Sequence, residues 1–285
     1  MTKRAGVIGH PLGHTLSPVL FKAAFEAAGI DATYEAWDTP PDTLQGRIDA
    51  LHGGDFLGAN VTIPHKQAVA PFLDAMSDTA AKIGAVNTIV HGDGKLTGHN
   101  TDVSGFARSL REDTGFDAKR KRTMLLGSGG AARAVALALM EAGAEVIFVM
   151  GRKPRNLDKM AVEMKPLTPT GTTITWAYWG DGSYLTMCNE ADLIVNCTPI
   201  GTAGSDTAAQ SPVAAELMQP RTLFFDLVYN PAETPFLAAA KSRGAKGVGG
   251  LGMLVYQAAE SFKLWTGQDA DTAKMLAAAR GVLSV

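Results

Sequence analysis

Two cysteines in 285 residues, Cys188 and Cys197, are too few for a disulfide framework, and neither belongs to a CxxC pair that would mark a metal site. A reducing compartment, the cytoplasm, is the expected address. Long apolar runs are missing too: no segment reaches the uninterrupted span of about 18 apolar residues that a membrane helix needs. The apolar stretch behind Lys3 and Arg4 is broken by His10, Pro11 and His14, so export is not expected either. Charge of one sign is also lacking. The formal net charge is -2, which gives no electrostatic reason to bind nucleic acid, and the run Lys119, Arg120, Lys121, Arg122 reads as a solvated connector. His10, His14 and His65 have no acidic or thiol companions at a ligand spacing, so no metal is expected. Repeats, low-complexity tracts and heptads are absent.

What the chain does have is alternation. RAGVIG, ATYEAW, FLGANVTI, AVNTIV, TMLLG, EVIFVM, TTITWAYW, DLIVNC and TLFFDLV read as strands, mostly separated by helical patterns, which is the α/β class. The length suits two domains. HGDGKLTGHNTD carries an Asp-Gly turn between two short extended runs and reads as a hairpin closing the first domain. A helix from roughly Val103 to Glu112 follows, then the polar stretch DTGFDAKRKR, where composition places a boundary. The second domain would run from near Lys119 to about Gly247. Two helices beyond it, at 251–267 and 269–283, leave the alternating pattern and would pack back on the first domain. Trp176, Tyr178 and Trp179 form an aromatic cluster expected to pack a strand.

One local pattern points to a ligand. GSGGAA, starting at Gly127, follows the apolar run MLL and opens the helical stretch AARAVALALMEAG. A glycine turn from strand into helix either serves packing or lets backbone N–H groups approach a pyrophosphate at the positive end of the helix. Its continuation favours the ligand. The second strand of such a unit ends, about 20 residues on, in an acid when NAD is bound. Here it ends in Gly151, Arg152, Lys153, Pro154 and Arg155. Guanidinium groups offer phosphate a planar fork of donors, so NADP is expected over NAD.

Other candidates have two readings each. Thr15 and Ser17 precede Pro18, so Ser17 is placed to cap a helix and also to donate to an anion over the same helix end. Asn60, Thr62 and Lys66 surround a strand-to-helix turn, where a lysine is either an exposed side chain or a catalytic one. Asp102 either caps the helix that follows or, if it meets Lys66, completes an ammonium-carboxylate pair able to move a proton to or from a carbonyl oxygen. Gln257 borders an apolar helical stripe, as a cleft wall or as a plain stripe edge.

Taken together these segments resemble the shikimate dehydrogenase family along nearly the whole chain. The matching segments are TLSP at Thr15, NVTIPHK at Asn60, GAVNT at Gly84, NTD at Asn100, GSGGAARA at Gly127, NCTPIG at Asn196, DLVYNP at Asp226 and GLGMLVYQAAESFKLWTG at Gly250. The resemblance implies NADP-dependent reduction of 3-dehydroshikimate to shikimate in aromatic amino acid biosynthesis. It implies a discontinuous substrate-binding catalytic domain, residues 1–103 with 248–285, and a Rossmann-type NADP-binding domain, 104–247, with substrate between them. By matching position, Lys66 and Asp102 become the catalytic pair and Thr15 and Ser17 hold the substrate carboxylate. Asn60, Thr62, Asn87 and Gln257 bond the ring hydroxyls, with Tyr229 nearby. Gly127, Gly129, Gly130 and Ala131 take the pyrophosphate, while Arg152 and Arg155, assisted by Lys153, take the 2′-phosphate. Thr198 to Gly201 and Gly250 to Met253 lie by the nicotinamide. The chain departs from the family in having Thr15, Leu16, Ser17 where Ser-Lys-Ser or Ser-Arg-Ser is usual, and Leu16 is also found in broader quinate/shikimate dehydrogenases. Gly151 stands where asparagine commonly opens the phosphate motif, and Gly249 where aspartate or asparagine is frequent. Broader substrate or NAD use, and a non-catalytic NADP-binding sensor, are the alternatives. The partner is a small molecule, and the protein is a monomer or homodimer.

Overall fold

The computed structural model describes residues 2–13 and 15–283. His14, weighed above as a ligand, lies outside the described residues. In chain order the elements are β1 (Lys3–Gly9), α1 (Ser17–Ala28), β2 (Ala32–Asp38), α2 (Leu44–Asp49), β3 (Phe56–Val61), β4 (Ala75–Met76), α3 (Asp78–Ile83), β5 (Thr88–Gly92), β6 (Lys95–His99) and α4 (Asp102–Thr114). Then come β7 (Arg122–Leu126), α5 (Gly130–Glu141), β8 (Val146–Gly151), α6 (Pro154–Met164), β9 (Thr173–Tyr178), α7 (Ser183–Glu190), β10 (Leu193–Asn196), β11 (Leu223–Asp226), α8 (Pro235–Ser242), β12 (Lys246–Gly249), α9 (Leu251–Thr266) and α10 (Thr272–Leu283). The chain divides into two compact units, Met1–Gly105 with Val255–Val285, and Phe106–Leu254.

The first unit holds a six-stranded sheet in the order β2-β1-β3-β5-β6-β4. It is mixed: β1 runs parallel to β2 and β3, while β5 is antiparallel to both β3 and β6. The hairpin read from the sequence is present, and its turn explains itself. Asp93 and Gly94 both have left-handed φ, 51° and 72°, as a two-residue turn matching strand twist requires. Ile8, Trp37, Ile48, Val61 and Ile89 belong to the core against which the sheet packs. Helix α9 belongs to this unit from Val255 onward. Trp265 donates to the Ile89 carbonyl at 2.9 Å, and a Cβ on Gly58 would lie 1.9 Å from that oxygen, so only glycine admits the contact. Phe262 is fully buried beside Phe25, each side chain worth roughly 1.5–3 kcal/mol of burial.

The second unit is a doubly wound parallel sheet in the order β12-β11-β10-β7-β8-β9. Numbered within the unit and read from β9, this is 3-2-1-4-5-6, the Rossmann order, whose switch point lies beside β7. Strands covered on both faces are buried along their length, and β7 and β8 are so, with four of five and five of six residues buried. Met124, Phe148, Phe224 and Phe236 lie in the core. Two short strands escaped the sequence pattern. β4 has only two residues, and β12 contains two glycines and no buried residue. The aromatic cluster packs less than expected, because β9 is an edge strand whose end leaves Tyr178 and Trp179 exposed.

Candidate active site

Lys66 is held by backbone rather than by a helix. After β3 the chain continues in turns, not in the expected helix, because successive bonds tie it down: Thr62 N–H to the Ile8 carbonyl, His65 N–H to the Thr62 carbonyl, and Val86 N–H to the Lys66 carbonyl at 2.7 Å. The buried His65 ring adds a bond from Nε2 to the Thr39 carbonyl at 2.7 Å, which is a structural use of a histidine. The ammonium so placed meets Asp102. Lys66 Nζ lies 2.5 Å from Asp102 Oδ2, with side-chain exposures of 16% and 6%.

Asp102 is the first residue of α4, so the helix starts at it and not after it. Its N–H is taken by Asn100 Oδ1, whose own amide reaches the Ala85 carbonyl. Both carboxylate oxygens point to side chains: Oδ2 to Lys66, and Oδ1 to the Asn87 amide at 2.9 Å. Asn87 Nδ2 also lies 3.3 Å from Gln257 Oε1, which brings α9 into the cluster. That approach depends on Gly105, where a Cβ would come 2.7 Å from the Gln257 Cβ. Opposite charges in contact and largely out of water interact strongly, so the pair is an obvious seat for proton exchange.

The other expected substrate groups differ in how free they are. Thr15 and Ser17 sit together, with Thr15 Oγ1 donating to Ser17 Oγ at 3.2 Å and accepting from the Ser17 N–H at 3.3 Å. The expected Ser17 cap is not made: the N-cap is Leu16, without a side-chain bond, and Ser17 is already helical with Pro18 behind it. Pairing with Thr15 displaces the cap and leaves the Ser17 hydroxyl near a helix end. Thr62 is partly exposed. Asn60 is engaged on both sides of its amide, accepting from Tyr34 at 2.8 Å and donating to Thr88 at 3.1 Å and Ser261 at 3.0 Å. Tyr229 lies in the other unit, half-buried after β11.

In the second unit the glycine turn has the shape a phosphate cradle needs. Gly127 has φ of 121°, a conformation that L side chains rarely adopt, and a Cβ there would press on the Cys197 carbonyl at 3.2 Å. Gly129 is the N-cap of α5, and a Cβ on it would meet nothing within 4 Å, so the space above it is open. The first N–H groups of α5, from Gly130 and Ala131 onward, have no intrahelical acceptor and sit at the positive end of the helix dipole. Arg152 and Lys153, just after β8, and Arg155, in the first turn of α6, are exposed and able to reach an anion. These residues fit a 2′-phosphorylated dinucleotide. Thr198 is held by Asn196, whose Oδ1 accepts both its N–H at 3.0 Å and its hydroxyl at 2.6 Å. Gly250 is required where it stands, since a Cβ would come 2.2 Å from the Leu227 carbonyl, and Met253 is buried.

Several groups around these sites lie inside the segments matched to the family but were given no role from the sequence. Thr88, Thr101 and Ser261 are fully or almost fully buried hydroxyls around Asn87, and Asp226 is a fully buried acid. Asp226 takes bonds from Asn196, the Val228 N–H and Thr234, all neutral, and burial pushes its carboxyl up to about 6. Burial likewise raises the Cys197 and Cys188 thiols, the latter to about 11, so neither is a ready nucleophile. Among the described residues, no cluster of three His, Cys, Asp or Glu could hold a metal ion, and no helix is long and apolar enough to cross a membrane.

Comparison with known proteins agrees with this geometry. The family described as Shikimate dehydrogenase substrate binding domain matches residues 7–89, and that described as Shikimate 5'-dehydrogenase C-terminal domain matches 250–280. Shikimate dehydrogenase (NADP(+)) of Moorella thermoacetica is 44% identical over 275 residues, covering 96% of this chain and 91% of that protein. A crystal structure of a shikimate dehydrogenase in complex with NADP+ has a TM-score of 0.90 at 37% identity, covering 99% of this chain and 96% of the other. The shikimate 5-dehydrogenase of Thermus thermophilus, solved with NADP(H) and shikimate, has a TM-score of 0.86 at 40% identity, covering 99% and 100%.

Proposed function

The chain belongs to the shikimate dehydrogenase family, and from that premise we propose that it catalyses the reversible NADPH-dependent reduction of 3-dehydroshikimate to shikimate, a step of aromatic amino acid biosynthesis. It is an oxidoreductase. The observation that carries the mechanism is the Lys66–Asp102 contact at 2.5 Å. NADPH, when bound, supplies a hydride to the ring carbonyl carbon. The carbonyl oxygen then needs a proton, and the Lys66/Asp102 pair is the source, returning to its starting state by taking a proton from water. In the reverse direction the pair receives the hydroxyl proton. Because the ammonium and the carboxylate are in direct contact, the transfer is assigned to the pair and not to either side chain alone.

The remaining roles follow from chemistry and position. Thr15 and Ser17 present hydroxyls to the substrate carboxylate, while Thr62, Asn87 and Gln257 bond the ring hydroxyls, with Tyr229 also on the substrate side. Asn60, its amide engaged by Tyr34, Thr88 and Ser261, supports that set from behind. Gly127, Gly129, Gly130 and Ala131 take the pyrophosphate, Arg152, Lys153 and Arg155 the 2′-phosphate, and Thr198, Gly250 and Met253 the nicotinamide end. In this arrangement residues 1–103 with 248–285 carry most of the substrate groups and 104–247 most of the cofactor groups, with Tyr229, Gly250 and Met253 crossing that division. The net charge of -2 and the reduced cysteines suit a cytoplasmic enzyme, monomeric or homodimeric, without nucleic-acid or membrane partners.

The test is a steady-state assay with both acids and both cofactors. Turnover of 3-dehydroshikimate with NADPH, far above that with NADH, is expected. Comparable oxidation of quinate would broaden the substrate assignment, a question raised by Leu16 between Thr15 and Ser17, and binding of NADPH without any turnover would reduce the protein to a sensor.

A further inference from the structure

Buried polar groups of the first unit form a directed chain behind the catalytic pair. It starts at Tyr34, whose ring stacks on Phe21 with centroids 4.3 Å apart. Burial holds this phenol well above its ordinary pKa, so it is a standing donor, and it donates to Asn60 Oδ1 at 2.8 Å. With its oxygen fixed, Asn60 turns its NH2 to Ser261 Oγ at 3.0 Å, Thr88 Oγ1 at 3.1 Å and the Asn87 carbonyl at 3.2 Å. One assignment uses each proton once. Ser261 donates to Thr88 Oγ1 at 2.8 Å, Thr101 to Ser261 at 3.2 Å, and Thr88 to Asn87 Oδ1 at 3.0 Å. Asn87 Oδ1 also accepts the Thr101 N–H at 2.7 Å, which leaves its NH2 for Thr101 Oγ1 and Asp102 Oδ1, each at 2.9 Å.

The consequence reaches the reaction. An NH2 fixed against Asp102 Oδ1 makes that oxygen an acceptor only, so a proton carried by Asp102 sits on Oδ2, the oxygen facing Lys66. We propose that Tyr34 and Thr88, to which no role is otherwise given, are positioning residues: they set the Asn60 and Asn87 amides and so keep the exchangeable proton on the Lys66 side of Asp102. This rests on the reduction proposed above.

Three variants test it. Tyr34→Phe keeps the stacked ring, Thr88→Val keeps the shape, and Thr88→Ser restores the hydroxyl. The first two are expected to lower kcat for 3-dehydroshikimate about tenfold and to raise the solvent deuterium isotope effect on kcat, with KM for NADPH unchanged, while Thr88→Ser stays within about twofold of wild type. Lower thermal stability with kcat per folded molecule and isotope effect both unchanged would overturn the proposal. A second measurement does not depend on turnover: hydrogen exchange of the Asn87 side-chain amide by NMR, expected slow in wild type and Thr88→Ser and faster in Thr88→Val. Equal protection in all three overturns the positioning role. A wild type that fails to reduce 3-dehydroshikimate removes the assigned reaction, and the amide exchange still decides whether Thr88 orients Asn87.

Discussion

Asp102 and Asp226 are both buried aspartates, one in each unit, and their partners give them opposite uses. Asp102 faces an ammonium on one oxygen and an amide on the other, and Lys66 retains some access to solvent. Asp226 is sealed, with only neutral donors around it, and its ionised form is disfavoured by burial. It works as a clamp: Asn196, at the end of β10, bonds Asp226 and also holds Thr198, while Thr234 bonds Asp226 and caps α8 through the Leu237 N–H. On the proposed reaction, a buried carboxylate is equipped for chemistry by an exchangeable proton on a neighbouring cation, and for architecture by neutral donors that keep theirs. The same contrast separates the sites as wholes. Side chains locked by other side chains surround Lys66, whereas the dinucleotide cradle is backbone shape with exposed cations beside it.

The comparison breaks most sharply at Lys66. Lys66→Ala is expected to lower kcat by about 10²–10⁴-fold, the usual worth of a positioned acid-base group, with the fold intact by circular dichroism. A fall of only a few fold would give Lys66 a binding role alone. The clamp should respond to pH in the other unit. Since the Asp226 carboxyl is raised from 3.8 to about 6 in the folded state, its contribution to stability is full below pH 3.8 and is lost as pH rises through 6. Urea titrations of wild type and Asp226→Asn across that window should show the wild type's relative stability falling by on the order of 3 kcal/mol, and a constant difference would deny the raised pKa. For cofactor choice, replacing Arg152 and Arg155 together by alanine is expected to raise KM for NADPH about 10–100-fold and leave KM for NADH unchanged, because only the 2′-phosphate contacts are lost. The smallest effect belongs to Gly129→Ala. With open space at the new Cβ, stability should change by less than about 1 kcal/mol, while KM for NADPH rises severalfold if pyrophosphate fills that space.

Much of this organisation is written in local patterns. The nine strand segments, the Asp93-Gly94 hairpin and the two terminal helices each follow from a period or a turn that a few neighbouring residues define. The glycine turn before α5 is legible because positive φ at Gly127 and close approach to a ligand both demand a missing Cβ. Long-range relations are a different matter. Nothing near Lys66 in sequence says that residue 102 will meet it: the residues left the meeting open, and the family resemblance assigned it. Ser17 misled by local rules, since a capping residue before proline was the natural inference and the bond to Thr15 replaced it. Thr88, Thr101 and Ser261 lie inside matched segments but follow no period, cap or turn rule of their own. Their value comes from converging on Asn87 from three elements, and hydroxyls are too common in strands and helices for spacing to single them out.

The pairing of Lys66 with Asp102 as the proton source is tested most directly by Asp102→Asn, which preserves size and the ability to accept one hydrogen bond but removes the charge. The measurement is the rate of NADPH oxidation on mixing with saturating 3-dehydroshikimate, beside the affinity for shikimate. A rate lower by at least about 100-fold with affinity nearly kept is the expected result. Undiminished turnover in the variant would contradict it, leaving Asp102 as nothing more than the first residue of its helix.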